Sequence, residues 1–137
     1  MKTTVDSIMS VLKDVHKSSK EISGVLVVKE GLEGVIMFPE SFQQEITPIW
    51  EPLSKCLNYA LSGVKILSIY GLKYMSFRIF GYSILFYPLE SSDTALIVFV
   101  KDNHEKPSLA LPEIGEKAEE ARNKIIALIQ PKATPKT

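Results

Sequence analysis

Only two of the sixteen basic residues of this 137-residue chain are arginine, Arg78 and Arg122, and sixteen acidic residues bring the net charge to zero. With no net field to recruit a polyanion and almost no planar guanidinium for bidentate phosphate or guanine contacts, the composition argues against nucleic acid as a partner. A single cysteine, Cys56, excludes an intrachain disulfide and is expected to be a buried structural thiol in a reduced compartment. The N-terminus, Met1 to Ser7, lacks the apolar core of a secretory signal. No stretch approaches the ~18 uninterrupted apolar residues of a bilayer span. The expectation is a cytoplasmic protein without direct membrane insertion. Histidine is scarce as well: neither His16 nor His104 has cysteine or carboxylate at ligand spacing, which excludes the usual metal-site patterns.

What is present is apolar residue in a changing period. Val5, Ile8, Met9, Leu12 and Val15 recur at helical spacing, and Thr3 with Asp6 has the spacing of a capping box ahead of that run. Ile22 to Val28 is almost continuously aliphatic, which predicts a central strand covered on both faces. A turn with two glycines over Lys29 to Gly34 leads to a second strand over Val35 to Phe38, stopped by Pro39. Ser41 with Gln44 suggests another capping box, and Ile46, Ile49, Trp50, Leu53, Leu57, Ala60, Leu61 and Val64 form one helical stripe. Within it Thr47 is expected to cap a main helix opening at Pro48, with a kink at Pro52.

From Lys65 to Leu89 the pattern reads as β throughout, with Met75, Phe77 and Ile79 on one face and Ser76 and Arg78 on the other. Gly71 is expected as a bulge in this run or as a hairpin turn, which makes the strand count five or six. After a turn over Glu90 to Asp93, Thr94 to Lys101 is another continuous apolar strand. A polar linker over Asp102 to Leu111 precedes a last helix opened by Pro112, with Ile114, Ala118, Ala121, Ile125 and Leu128 on its apolar side. The whole predicts one α/β (α+β) domain over residues 1–130, a mostly antiparallel sheet between helices, large enough to bury roughly two thirds of its unfolded surface. Residues 131–137, with two prolines, two lysines and no large apolar residue, are expected to be a disordered tail.

Chemistry-bearing clusters are missing from this frame. Glu113, Glu116, Glu119 and Glu120 read as the solvated side of the last helix, and Gly31 to Gly34 precedes a strand where a phosphate loop would precede a helix. No nucleophile–base pair, metal cluster or cofactor loop can be assembled, so neither enzymatic activity nor a cofactor is expected. The feature that asks for a partner is the run from Tyr70 to Tyr87, rich in aromatics, with only Lys73 and Arg78 as charged interruptions. At a sheet edge, such a run is poorly protected against pairing with another chain.

Three stretches carry a family resemblance. Ile22-Ser23-Gly24-Val25-Leu26-Val27-Val28 with its glycine turn, Tyr82-Ser83-Ile84-Leu85-Phe86-Tyr87-Pro88-Leu89, and Ser92-Asp93-Thr94-Ala95-Leu96-Ile97-Val98 resemble the opening hairpin, fourth strand and last strand of the roadblock/LC7 family. The resemblance covers about residues 4 to 130. It implies a five-stranded antiparallel sheet sandwiched between helices, in the order α-β-β-α-β-β-β-α, and dimers that pair their third strands and pack their long helices. Family members are usually non-enzymatic platforms for Ras-like small GTPases, dynein light chains or lysosomal scaffold subunits, and the last helix resembles the scaffold and GTPase-regulator types. The implied partners are a second copy or a paralogue and a Ras-like small GTPase. Ile49, Trp50, Leu53, Leu57, Tyr70, Tyr74, Phe77 and Ile79 are then the expected dimer interface, and Glu45, Glu51, Lys55 and Tyr59 the expected GTPase contacts. Two other readings stand beside it: a profilin- or longin-like module binding actin or a trafficking partner, and a small-molecule sensor domain with a polar internal pocket.

Overall fold

The capping box forms as the sequence predicts. In the computed structural model, which describes residues 3–29, 35–79, 81–89, 94–102 and 109–129, Thr3 Oγ1 accepts from the Asp6 N–H at 3.1 Å and Asp6 accepts from the Thr3 N–H at 3.3 Å. Helix α1 follows over Thr4–Lys17 and buries Ile8, Leu12 and Val15. Next come β1 (Ile22–Lys29) and β2 (Ile36–Phe38), then a helical layer made of α2 (Ser41–Ile46), a 3-10 turn (Thr47–Ile49) and α3 (Trp50–Ser68). The chain continues through β3 (Met75–Ile79), β4 (Tyr82–Pro88), β5 (Thr94–Lys101) and α4 (Leu111–Ile129). Lys29 ends β1, and the rest of the turn expected over Lys29 to Gly34, the turn over Glu90 to Asp93, most of the linker with His104, and the tail over 131–137 lie outside the described residues.

The strands form one five-stranded sheet in the order β2-β1-β5-β4-β3, and every neighbouring pair is antiparallel. Pairings such as Val25↔Val98 and Leu85↔Val98 put β5 at the centre of the sheet. Alternation then divides the core in two. Val25, Val27, Leu85, Tyr87, Leu96, Val98 and Val100 meet α1 and α4 on one face, whereas Leu26, Val28, Ile84, Phe86, Ile97 and Phe99 meet α2 and α3 on the other. This is why β1 and β5 read as continuous apolar runs: both of their faces are buried, as are both faces of β4.

The helical layer departs from expectation in ways that prolines explain. Ser41 is not the N-cap of α2; Glu40 stands there without a side-chain cap, and Thr47 Oγ1 donates back to the Gln43 carbonyl at 2.6 Å instead of capping forward. Pro48 sits in the 3-10 turn and α3 starts at Trp50, so Pro52 falls in its first turn. Backbone N–H groups there have no intrahelical acceptor, so the proline forfeits no bond and no interior kink is required.

The larger correction concerns Lys65 to Tyr74. Lys65–Ser68 continues α3, and strand begins only at Met75. Gly71 is neither bulge nor hairpin turn. It has φ +95°, its N–H bonds the Ser68 carbonyl at 3.1 Å, and the Leu72 N–H bonds the Leu67 carbonyl at 3.2 Å, the glycine-terminated helix end in which a left-handed residue satisfies the last carbonyls. Among the described residues the strands therefore number five. No helix among the described residues is long and apolar enough to cross a membrane, and Cys56, expected to be buried, is half-buried.

Candidate functional site

One end of the sheet is β3, and its side chains alternate as expected: Met75, Phe77 and Ile79 are half-buried toward α3, while Ser76 and Arg78 are exposed on the opposite face. Beside this edge lies α3, whose core stripe of Leu53, Leu57, Leu61 and Val64 is buried against the sheet. A second stripe, offset around the helix by roughly a third of a turn or more at 100° per residue, runs Cys56, Tyr59, Gly63, Ile66, Leu67 and Tyr70. It faces solvent: Tyr59 is 79% exposed, Ile66 63% and Tyr70 80%. Nothing lies within 4 Å of where a Cβ on Gly63 would be. An exposed apolar stripe with a small residue midway along it is a surface that another helix can approach closely.

Several expected interface residues are spread along this layer, from the start of α3 to just past its end. Ile49, Trp50, Phe77 and Ile79 are half-buried in the same apolar layer, Leu53 and Leu57 lie fully buried beneath them within the single chain, and Tyr70 stands exposed just past the end of α3. Tyr74 points elsewhere, stacking on Tyr87 with ring centroids 5.3 Å apart and an interplanar angle of 18°, on the α4 side of the sheet. Sequence reasoning missed Ile66, Leu67 and Ile69 as exposed helix-end residues, because it placed them in a strand. The helical period continuing past Val64 to a glycine was the signal that could have found them.

The expected GTPase-contact residues are more dispersed. Glu51 and Lys55 form an i,i+4 ion pair at 3.9 Å on the outer side of α3, exposed enough to contribute little stability, and Tyr59 belongs to the apolar stripe. Glu45 lies on α2, where its carboxylate accepts a hydrogen bond from the Tyr82 hydroxyl. Burial, reinforced by the hydrogen bond and charge of Glu45, pushes the Tyr82 phenol well above its ordinary value. Phe42 packs edge-on to Tyr82 with centroids 6.2 Å apart, so α2 is fastened to the sheet by an aromatic contact and a polar one.

Both arginines are engaged with their own chain. Arg78 contacts the Asp102 carboxylate through Nε at 3.1 Å and through its terminal nitrogen at 3.0 Å, and Ser83 Oγ donates to the other Asp102 oxygen at 2.6 Å. This row crosses β3, β4 and the end of β5 on one face. Arg122 Nε on α4 donates to the Pro88 carbonyl at 2.8 Å. His16 packs edge-on to Phe38 with centroids 5.3 Å apart. Among the described residues no group of three or more His, Cys, Asp and Glu could hold a metal ion. An open groove of about 440 Å³ runs between α1 and α4, lined by side chains of mixed charge that include Asp14, Lys17, Lys117, Glu120 and Lys124.

No family model matches the sequence, and no curated protein matches it either. Among solved structures, Myxococcus xanthus MglB is similar with a TM-score of 0.64 at 15% identity, over 97% of this chain and 98% of that one. The chain has the fold of MglB. It is the roadblock/LC7 layout, and the five-stranded antiparallel sheet with element order α-β-β-α-β-β-β-α agrees with what the resemblance implies. At this identity the likeness to MglB is one of fold, and the side chains of the exposed α3 stripe and the β3 edge are this chain's own.

Proposed function

We propose that the protein is a non-catalytic dimeric platform that binds a Ras-like small GTPase. The observation that carries the reading is the MglB-like fold, which extends over nearly the whole of both chains and agrees with the roadblock/LC7 resemblance seen in the sequence. Fold alone does not imply function. The reading is supported further by the exposed apolar stripe of α3 next to an edge strand, since soluble monomers rarely leave contiguous apolar surface of this kind open. Self-association through β3 and α3, with Ile49, Trp50, Tyr70, Phe77 and Ile79 at the interface over a base of Leu53 and Leu57 and with Tyr74 at its margin, covers the part of that surface beside β3.

The GTPase then meets the helical side of the platform, with Glu45, Glu51, Lys55 and Tyr59 at or near contact. Affinity capture from the source cell with the protein as bait, in the presence of GDP or of a non-hydrolysable GTP analogue, tests the partner. Enrichment of a Ras-like GTPase in one nucleotide state is the expected result. Recovery of actin or a SNARE with no GTPase overturns the reading in favour of a profilin- or longin-like module. Sedimentation tests the dimer, and a single monomeric species at tens of micromolar with no partner added overturns self-association.

A further inference from the structure

Helices α1 and α4 share one face of the sheet, and the seam between them is not filled. Its floor is made of Val11 and Val15 from α1 and Ala121 from α4, short side chains that leave an open groove of about 440 Å³. Val15 and Ala121 are buried at its base, whereas Val11 is only half-buried. Aliphatic carbon with no neighbour on its open side forgoes contacts that an inserted apolar side chain would make. Because α2 and α3 pack on the opposite face of the sheet, an occupant of this groove leaves the surfaces proposed for self-association and for the GTPase free.

The rims decide what kind of occupant fits. Charged residues recur on both at helical spacing, Asp14 and Lys17 on α1 and Lys117, Glu120 and Lys124 on α4. Glu120 is already balanced by Lys117 at 3.8 Å. Among the described residues, Lys17, Lys124 and Asp14 make no ion pair or side-chain hydrogen bond. Two uncompensated cations, one on each rim, therefore stand against one acid beside an apolar floor.

We propose that this groove binds a short helical segment of another protein, one that inserts aliphatic side chains between α1 and α4 and brings carboxylates to Lys17 and Lys124. Side chains at i and i+4 of such a segment lie together on one face, the way a helix commonly enters an apolar groove. Exposed ion pairs contribute little each, so the aliphatic insertion supplies most of the affinity and the lysines select the charge of the partner. Two nearer occupants fit less well. Residues 130–137 of the chain itself carry Lys132 and Lys136 and no acidic side chain, and a second copy seated on the same groove brings the same excess of cation.

Fluorescence anisotropy with three labelled helical peptides tests the assignment: one with leucines at i, i+4 spacing flanked by glutamates, a second with lysine in place of each glutamate, and a third with serine in place of each leucine. The first is expected to bind, less tightly as salt is raised, and the other two to bind weaker by about tenfold or more. Lys17→Glu combined with Lys124→Glu is expected to weaken the first peptide by about tenfold, because two attractions become repulsions, and Asp14→Asn to tighten it. All three positions are exposed, so these changes spare the fold. Ile66→Ser, on the other face of the molecule, should leave binding unchanged. No binding of the first peptide, equal binding of the lysine peptide, or unchanged affinity in the double lysine variant overturns the proposal. Loss of binding in Ile66→Ser overturns it as well and transfers the peptide to the exposed stripe of α3. None of these results bears on the GTPase reading, and failure to capture a GTPase leaves the groove assignment standing.

Discussion

The Phe42 ring lies directly on Gly24, closer than a residue bearing a Cβ would permit. Gly24 adjoins an irregularity in the β1–β5 register between Ile22 and Gly24, while Phe42 is almost wholly buried and packs against Phe99 with centroids 5.0 Å apart. The glycine is thus the opening through which α2 seats its aromatic anchor on the sheet. Gly24→Ala must displace a ring enclosed by Tyr82 and Phe99, and overpacking of this kind costs about 1–3 kcal/mol. Denaturant titration should show a lower midpoint with an unchanged slope; a midpoint equal to wild type would mean that the ring has room to move.

Two other glycines should respond with opposite signs. Gly71 terminates α3 at φ +95°, a conformation that costs an L-residue roughly 1–2 kcal/mol, so Gly71→Ala should lower stability by about that amount. Gly63 lies inside α3 with open space where its Cβ would be, and replacing a helix-interior glycine by alanine gains roughly 0.5–1 kcal/mol. Gly63→Ala should therefore raise the thermal midpoint at concentrations where the chain is monomeric. A fall there would show that Gly63 is close-packed in the free chain.

These glycines also show where the sequence was readable. The capping box of Thr3 and Asp6, the two-sided burial of β1 and β5 and the alternation of Met75 to Ile79 were legible because each is a local pattern whose tertiary cover agrees with it. Ile66 to Tyr70 was not. At this end of α3 the apolar side chains of Ile66, Leu67, Ile69 and Tyr70 are all exposed, so no polar outer face marks the helix and the aliphatic and aromatic residues read as strand. The misreading and the candidate surface have one cause, an apolar stripe that the single chain does not bury. Phe42 on Gly24 and Glu45 on Tyr82 are long-range contacts, about which local patterning carries no information.

Tyr87 should make the fold sensitive to alkali. Its hydroxyl lies 3.3 Å from the Gly115 carbonyl, and burial, with smaller contributions from Tyr74 and Glu119, pushes its pKa from the ordinary 10.0 up to about 12. The folded chain keeps the proton after the unfolded chain has begun to release it, so stability from this group is complete below the unfolded value and is lost as pH rises through the folded one. Between about pH 10 and pH 12 wild-type stability should fall more steeply than that of Tyr87→Phe. Equal slopes in denaturant titrations across that interval would refute the assignment. Tyr82, shifted in the same direction, adds a loss that remains in both proteins and cancels in the comparison.

If the proposed platform stimulates GTP hydrolysis, neither arginine should supply the charge. An arginine finger must enter the nucleotide site of the GTPase, and its removal lowers the rate by ~10³-fold or more. Arg122 is committed to the Pro88 carbonyl at 2.8 Å, and Arg78 to Asp102 at 3.0 Å; reaching out would release a buried-side carboxylate in one case and a strand-end carbonyl in the other. Stimulation would instead work by repositioning groups of the GTPase itself. Arg78→Ala and Arg122→Ala, assayed separately at saturating platform concentration and checked for retained GTPase binding, should leave the stimulated rate within a few-fold of wild type. A loss near ~10³-fold in either variant with binding intact would identify that residue as a finger and replace repositioning with direct charge stabilisation.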